Sequence, residues 1–264
     1  DFSDRIIESK NEKYPVGSYC FSQSGWRTHT IVNPKGDARE FYLLPDFKGL
    51  PLSLAIGAVG MPGNTAYFGF LEICQPKENE TVVISTAAGA VGSLVGQIAK
   101  LKGCRVIGIT GSDEKCKWIV DDLGFDKAIN YKTADLKKEL KAAAPKGIDC
   151  YFDNVGGEIS SKVLEQMNLY GRVSCCGAIT GYNDQEIKVF APQRYFVFNQ
   201  LKMEGFIVHR WANRWMEGLT QMITWISEGK IKTHETVTEG FENMPKAFME
   251  MLNGLNTGKA VVKV

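Results

Sequence analysis

The chain has 264 residues, room for one large or two ordinary domains, and 44% are hydrophobic against 23% charged, as in a globular protein with a substantial core. Its 31 Lys and Arg nearly cancel its 30 Asp and Glu. That balance argues against an overall positive field for nucleic acid or an anionic membrane and leaves only a local patch open.

Seven cysteines, at 20, 74, 104, 116, 150, 175 and 176, form no C-x-x-C pair. Their number is odd and several fall in apolar runs such as GIDCYFDNV and GRVSCCGAI, so free buried thiols in a reducing compartment are expected. Two runs, 49–71 and 81–99, lack charge. Pro51, Pro62 and Asn64 break the first and a glycine-rich turn breaks the second, so neither is expected to span a membrane. No basic leader or apolar targeting segment opens the chain at Asp1, and the cytoplasm is the expected location.

In chain order, residues 14–33 carry short β-like stretches, SYCFSQ and THTIV, around Gly and Pro. TAYFGFLEIC, from Thr65, reads as a helix. Strands are then expected at 81–85, 105–110, 127–131, 149–153, 171–176 and 204–209, and helices at 90–102, 113–122, 134–143, 158–168 and 191–201. A longer helix in RWMEGLTQMITWISEGKIK, a strand in THETVTEGF, a short helix and a last strand, KAVVKV, close the chain. Strands alternating with helices mean βαβ units and a doubly wound parallel sheet, an α/β fold. The β-rich ends suggest one discontinuous domain, 1–64 with 238–264, enclosing a nucleotide-binding domain at 65–237.

The segment TVVISTAAGAVGSLVGQIAKLKGCRVIGITGSDEK (Thr81–Lys115) nearly matches a dinucleotide fingerprint, in which a tight strand-to-helix turn sets a pyrophosphate on helix amides. Gly89 is placed for close backbone approach and Gly92 for helix–strand packing, while Ala87 stands where the first glycine is expected and must make the turn at negative φ. The second strand ends in Thr110, not in the carboxylate that would hold an NAD ribose and repel a 2′-phosphate. Gly111 and Ser112 leave room and a donor, and Lys115 adds a positive charge, so the pattern favours NADPH. Asp113 and Glu114 fit the first turn of the next helix.

These segments, with GMPGNTAYFGFLEIC, INYKT, DCYFDNVGGE, CGAITGYN and EGFENMPKAFMEMLNG, resemble the zinc-independent medium-chain dehydrogenases/reductases from about Ile7 to Val264. The resemblance implies a Rossmann domain beside a smaller GroES-like β-rich domain, no metal, and a homodimer. It implies NADPH-dependent reduction of the carbon–carbon double bond of α,β-unsaturated ketones and aldehydes, including 15-oxo-prostaglandins and lipid-derived alkenals. Carried over by motif, Gly89, Ala90, Val91 and Gly92 line the pyrophosphate; Lys115 and Tyr131 hold the 2′-phosphate; and Asn154 lies over the adenosine side. Cys176, Gly177, Ala178, Ile179, Thr180, Gly181 and Tyr182 run beneath the nicotinamide half, which Phe206, Ile207, Val208 and Asn256 complete, with Met61 and Thr65 at its end.

Three departures qualify the match. The proline-rich loop usual after GAIS-x-Y reads NDQEIKVFAPQRYFVFNQ, with only Pro192, so substrate range transfers least. A tyrosine often found before the LRME segment is Phe198 here, with Tyr195 one helical turn earlier. Roughly the family's first 60–70 residues, much of its smaller domain, have no counterpart before Asp1, as in a piece of a longer chain or a truncated form. Tyr182 and Tyr195 are the candidate hydroxyls for stabilising an enolate oxygen, with Tyr195 the weaker because a core-facing aromatic serves as well there. Zinc alcohol dehydrogenase is disfavoured: the only histidines are 29, 209 and 234, with neither G-H-E nor a four-cysteine lobe. Quinone reduction within the same superfamily and a non-catalytic NADPH-binding scaffold remain as alternatives.

Overall fold

The computed structural model describes residues 2–34, 41–181, 189 and 191–264. At the amino end, β1 (Phe2–Arg5), β2 (Tyr19–Ser22) and β3 (Phe41–Leu43) form an antiparallel sheet in that order. Cys20 and Phe21 turn inward, and Phe21 stacks on Tyr42 with ring centroids 5.0 Å apart. Thr28–Val32, expected as a strand, lies in none. Ile31 is fully exposed there, and β-branched residues favour a strand only where a sheet surface exists to pack on.

Helix α1 (Met61–Phe68) widens into a π-type turn at Gly69–Cys74. The Phe206 ring fills the side-chain space of Gly69, where a Cβ would lie 2.2 Å from Phe206 Cζ. From Thr81 strands and helices alternate as expected: β4 (Thr81–Ser85), α2 (Gly92–Leu101), β5 (Arg105–Thr110), α3 (Asp113–Asp121), β6 (Lys127–Asn130), α4 (Leu136–Ala143), β7 (Ile148–Asp153), α5 (Gly157–Leu164), β8 (Met167–Cys175), α6 (Gln193–Asn199) and β9 (Lys202–Gly205). The six strands pair in parallel in the order β6-β5-β4-β7-β8-β9. The chain thus winds outward from β4 to one edge, then returns past it to β7. Ligands of doubly wound sheets bind where the carboxyl ends of those two strands part.

Helices on both faces leave every residue of β4 buried, which is why the strands read as continuous apolar runs. Val83, Ile107, Ile129, Leu140, Val163 and Val173 anchor one core cluster of this sheet. Ser112 caps α3 by accepting from the Lys115 amide, and Asp135 caps α4 by accepting from the Lys137 and Lys138 amides.

After β9 come α7 (Trp215–Ser227), β10 (Glu235–Glu239), α8 (Met244–Leu252) and β11 (Lys259–Lys263), with β10 and β11 paired in parallel. The chain divides into two compact units, Asp1–Asn64 with Val208–Val264, and Thr65–Ile207. Residues 208–237, read from sequence as the end of the nucleotide domain, therefore group with the chain ends. The apolar face of α7 accounts for this. Trp215, Leu219, Met222 and Ile223 are buried, the Trp215 carbonyl accepts from Asn64 Nδ2 at 3.1 Å, and the Trp215 ring stands 6.4 Å from that of Tyr42. Among the described residues no helix is long and apolar enough to cross a membrane. All seven cysteines are free, and Cys20, Cys74, Cys104 and Cys150 are buried.

Within the larger unit, Arg172 of β8 ties the approach to β4 onto the π-type turn. Its Nε donates to the Cys74 carbonyl at 2.8 Å, and its guanidinium pairs with Glu80 at 2.5 Å. Burial pushes the Glu80 carboxyl up, but hydrogen bonds from Arg172 and the Lys77 amide outweigh it and hold the group below its ordinary value. A carboxyl depressed on folding stabilises the native state above its unfolded value, about 4.3, and loses that contribution as pH falls through the folded value. Urea unfolding followed from pH 7 to pH 3 should show this loss on the acid side. The stability gap between the native chain and Glu80→Gln should be widest near neutrality and close with acid; a gap that stays constant would place the effect elsewhere.

Candidate functional site

The turn after β4 differs in one detail from the sequence reading. Thr86, not Ala87, makes the tight bend, at φ 52, and the Ala87 amide donates to the Ile109 carbonyl at 3.0 Å. Ala87 has room for its methyl because Gly108 lies opposite on β5. A Cβ on Gly108 would stand 2.8 Å from that methyl. The glycine missing from the turn has, in effect, moved to the neighbouring strand. Gly92 acts as expected: a Cβ there would lie 2.4 Å from the Thr86 carbonyl oxygen, so α2 can start against the turn only as glycine. The Gly89 amide donates back to Thr86 at 2.9 Å, and Ser93 donates to Gly89 at 3.1 Å. The N–H groups of Ala90, Val91 and Gly92 make no hydrogen bond among the described residues. Open amides at a helix start are what an anionic ligand requires.

At the carboxyl end of β5 the Thr110 hydroxyl donates to the Ser112 carbonyl at 3.1 Å. Asp113, the nearest carboxylate in the following turn, accepts from Asn130 Nδ2 at 2.8 Å. Tyr131 and Lys132, from the loop after β6, fold back over Gly111: a Cβ there would meet Tyr131 Cε1 at 3.3 Å and Lys132 Cε at 3.4 Å. Lys115 rises from the first turn of α3. Burial and the charge of Lys132 push its ammonium pKa down. Two cations and a phenol therefore gather where an NAD-type site would place a carboxylate.

Across the switch point the end of β7 is organised by Asp153, which is 2% exposed. Its carboxylate accepts from the Tyr151 hydroxyl at 2.9 Å, the Val155 and Gly156 amides at 3.0 Å each, and the Ser160 hydroxyl at 2.5 Å. Asn154 bridges back to β4, its Nδ2 donating to the Ser85 carbonyl at 2.7 Å and its amide to the Ser85 hydroxyl at 2.9 Å. Gly156 and Gly157, at φ 72 and 59, then let the segment after β8 lie against them. The amides of Cys176 and Gly177 both donate to the Asp153 carbonyl, at 2.8 and 3.1 Å, and Thr180 donates to Val155 at 3.2 Å. Ile179 donates to Asn154 at 3.4 Å, and Gly181 closes a turn onto Ala178 at 2.8 Å. Burial raises the Cys176 thiol to about 12, with the Asp153 charge adding to it.

Phe206 donates its amide to Cys175 and sets its ring 6.3 Å from Phe152, while Ile207 is exposed. Thr65 is buried in the same unit. Met61, Val208 and Asn256 belong to the other unit, where Val208 is buried and Asn256 Nδ2 donates to the Gly258 carbonyl at 2.9 Å. Tyr182 lies outside the described residues. Tyr195 lies with Glu165 in a cleft of about 450 Å³ that Lys137, Arg194 and Phe198 also line, with no residue of the turns above. Sequence reasoning missed Thr86, Gly108, Asp153 and Lys132. Of these, Gly108 alone left a mark, as a glycine inside an apolar strand.

Residues 90–225 match the family described as zinc-binding dehydrogenase. The chain is 53% identical over 262 residues to prostaglandin reductase 1 of Bos taurus, covering 98% of this chain and 79% of that protein. It is 41% identical to the 2-alkenal reductase (NADP(+)-dependent) of Nicotiana tabacum, over 98% of this chain and 75% of that one. The crystal structure of CurA in complex with NADPH from Vibrio vulnificus superposes with a TM-score of 0.91 at 39% identity, over 99% of this chain and 78% of the other. The chain belongs to the prostaglandin reductase 1 family of the medium-chain dehydrogenases/reductases. This is the superfamily its motifs resemble. Although the description of the matched family names zinc, no group of three or more His, Cys, Asp and Glu gathers as a metal site among the described residues.

Removing the Asp153 carboxylate would strand two half-buried loop amides and the hydroxyls of Ser85, Tyr151 and Ser160. At about 1–3 kcal/mol for each buried group left without a partner, Asp153→Ala should destabilise the fold by about 3 kcal/mol or more. Urea denaturation measures this, and a loss below about 1 kcal/mol would mean that water replaces the carboxylate.

Proposed function

We propose that this chain reduces the carbon–carbon double bond of α,β-unsaturated ketones and aldehydes with NADPH, acting on 15-oxo-prostaglandins and lipid-derived alkenals. The observation that carries the cofactor half is the end of β5, where Lys115, Tyr131 and Lys132 stand in place of a carboxylate and Asp113 is engaged by Asn130. The substrate half is supported by 53% identity to a prostaglandin reductase and 41% to a 2-alkenal reductase.

In this reading the unit Thr65–Ile207 is the cofactor domain and the chain ends form the GroES-like one. The open amides of Ala90, Val91 and Gly92 hold the pyrophosphate, with Gly89 giving the backbone its close approach. Lys115 and Tyr131 hold the 2′-phosphate. Asn154, fixed to Ser85, borders the adenosine side, and Cys176–Gly181, pinned to the Asp153 loop, supports the nicotinamide half. NADPH, when bound, supplies the hydride. The protein's part is to orient the enone and shield it from water. Fixed hydroxyl dipoles would meet the charge that develops on the carbonyl oxygen. Tyr195 is poorly suited to that task, because burial and then Glu165 push its phenol pKa up. We further propose a cytoplasmic homodimer.

Two measurements test this reading. A charged hydrogen bond to phosphate contributes about 1.5–3 kcal/mol. Lys115→Ala should therefore weaken NADPH binding by roughly tenfold or more in fluorescence titration and leave NADH nearly unchanged; equal effects on both would refute the phosphate assignment. With NADPH deuterated at the transferred position, the label should reach the substrate's β-carbon and the α-proton should come from water. Deuterium on the carbonyl carbon would mean ordinary carbonyl reduction. Turnover of a quinone but of no enone, assayed side by side, would move the chain to quinone reduction, and cofactor binding without any turnover to a scaffold role.

A further inference from the structure

The loop after β6 carries a cation, Lys132, to which the proposed function gives no ligand contact of its own. Lys132 is exposed, and no ion pair joins it to a carboxylate among the described residues. Its position is nonetheless set. Its amide donates to Asn130 Oδ1 at 3.1 Å, while Asn130 Nδ2 donates to Asp113 Oδ1 at 2.8 Å. One carboxamide thus clips the loop onto the first turn of α3, the turn that carries Lys115. A second tie is the Tyr131 amide, which donates to the Thr110 carbonyl at 3.1 Å. The Lys132 side chain comes back over Gly111, its Cε 3.4 Å from where a Cβ would be, with the Tyr131 hydroxyl 3.5 Å from the same point.

We propose that Lys132 is a second phosphate-binding cation, and that Asn130 is the positioning residue that brings it beside Lys115 while withdrawing the Asp113 carboxylate from the phosphate. The inference rests on the NADPH reading and adds to it a residue pair that the family motifs do not assign. Burial lowers the pKa of the Lys115 ammonium, and the charge of Lys132 lowers it further, as two cations drawn together repel. A dianionic 2′-phosphate relieves that repulsion, and each lysine then makes a charge-assisted hydrogen bond to it. Gly111 is part of the same arrangement. A side chain there would meet the Tyr131 ring and the Lys132 stem at 3.3–3.4 Å, in the space through which both cross the end of β5.

The test is fluorescence titration of NADPH and NADH against the native chain, Lys115→Ala, Lys132→Ala, Lys132→Arg and Asn130→Ala, at low salt and in about 0.5 M NaCl. Lys132→Ala should weaken NADPH binding by about tenfold at low salt and by less at high salt, where an exposed charge is screened. NADH binding should not change, and Lys132→Arg should restore most of the loss. Asn130→Ala should lower the NADPH-to-NADH preference several-fold with its melting temperature close to the native one, a shift that a merely structural role would not produce. Were Lys115→Ala to lose NADPH affinity while Lys132→Ala kept it, Lys132 would be an ordinary surface lysine and this proposal would fail alone. If neither substitution changed the preference, the phosphate assignment itself would fail with it.

Discussion

The site depends on one buried carboxylate. Asp153 ends β7 at the point where the sheet reverses its winding, and the loops after β7 and β8 are both bound to it. Its side chain holds the Val155–Gly156 turn and its carbonyl holds Cys176 and Gly177. A buried carboxylate is costly unless it is fully hydrogen-bonded, and here two backbone amides and three hydroxyls satisfy it. The loops therefore cannot relax one at a time. Whatever lies along Cys176–Gly181 rests on a surface whose position is set by hydrogen bonds that no ligand has to supply.

Much of this architecture is legible in the sequence. The continuous apolar runs VVIS and VIGI lead to β4 and β5 with the bounds read from sequence, because a strand covered on both faces has no alternation to confuse its ends. Gly92 was placed for the reason that it works, steric approach, whereas Ser112 was read as a donor beside the phosphate and its hydroxyl serves as the cap of α3. The small sheet was less legible. THTIV has strand composition without a neighbour, and pairing is a property of the partner as much as of the stretch itself.

The site was legible where it is local and obscure where it is not. The glycines of the turn, and the absence of a carboxylate after VIGIT, lie on contiguous sequence. Asp153, in contrast, is one acidic residue among thirty Asp and Glu, and only the β4–β7 pairing brings it beside Ser85. Lys132 looks like any surface lysine until Asn130 is seen to join its loop to α3. The boundary at Ile207/Val208 was missed for a similar reason: the apolar face of α7 is plain in sequence, but what it packs against is not.

The exchange of a glycine between the turn and β5 has a consequence for how these positions can vary. Ala87 and Gly108 share one volume, so the effects of substituting them are coupled. A methyl at 108 is blocked while 87 carries one, and a glycine at 87 leaves a hole beside 108. Ile119 Cδ1, 2.3 Å from a Cβ at 108, keeps the exchange from being symmetric, since moving the methyl across would also require that isoleucine to change rotamer. A fingerprint with its first glycine replaced is thus a two-strand motif, and whether it is intact can be judged only by reading β5 together with the turn.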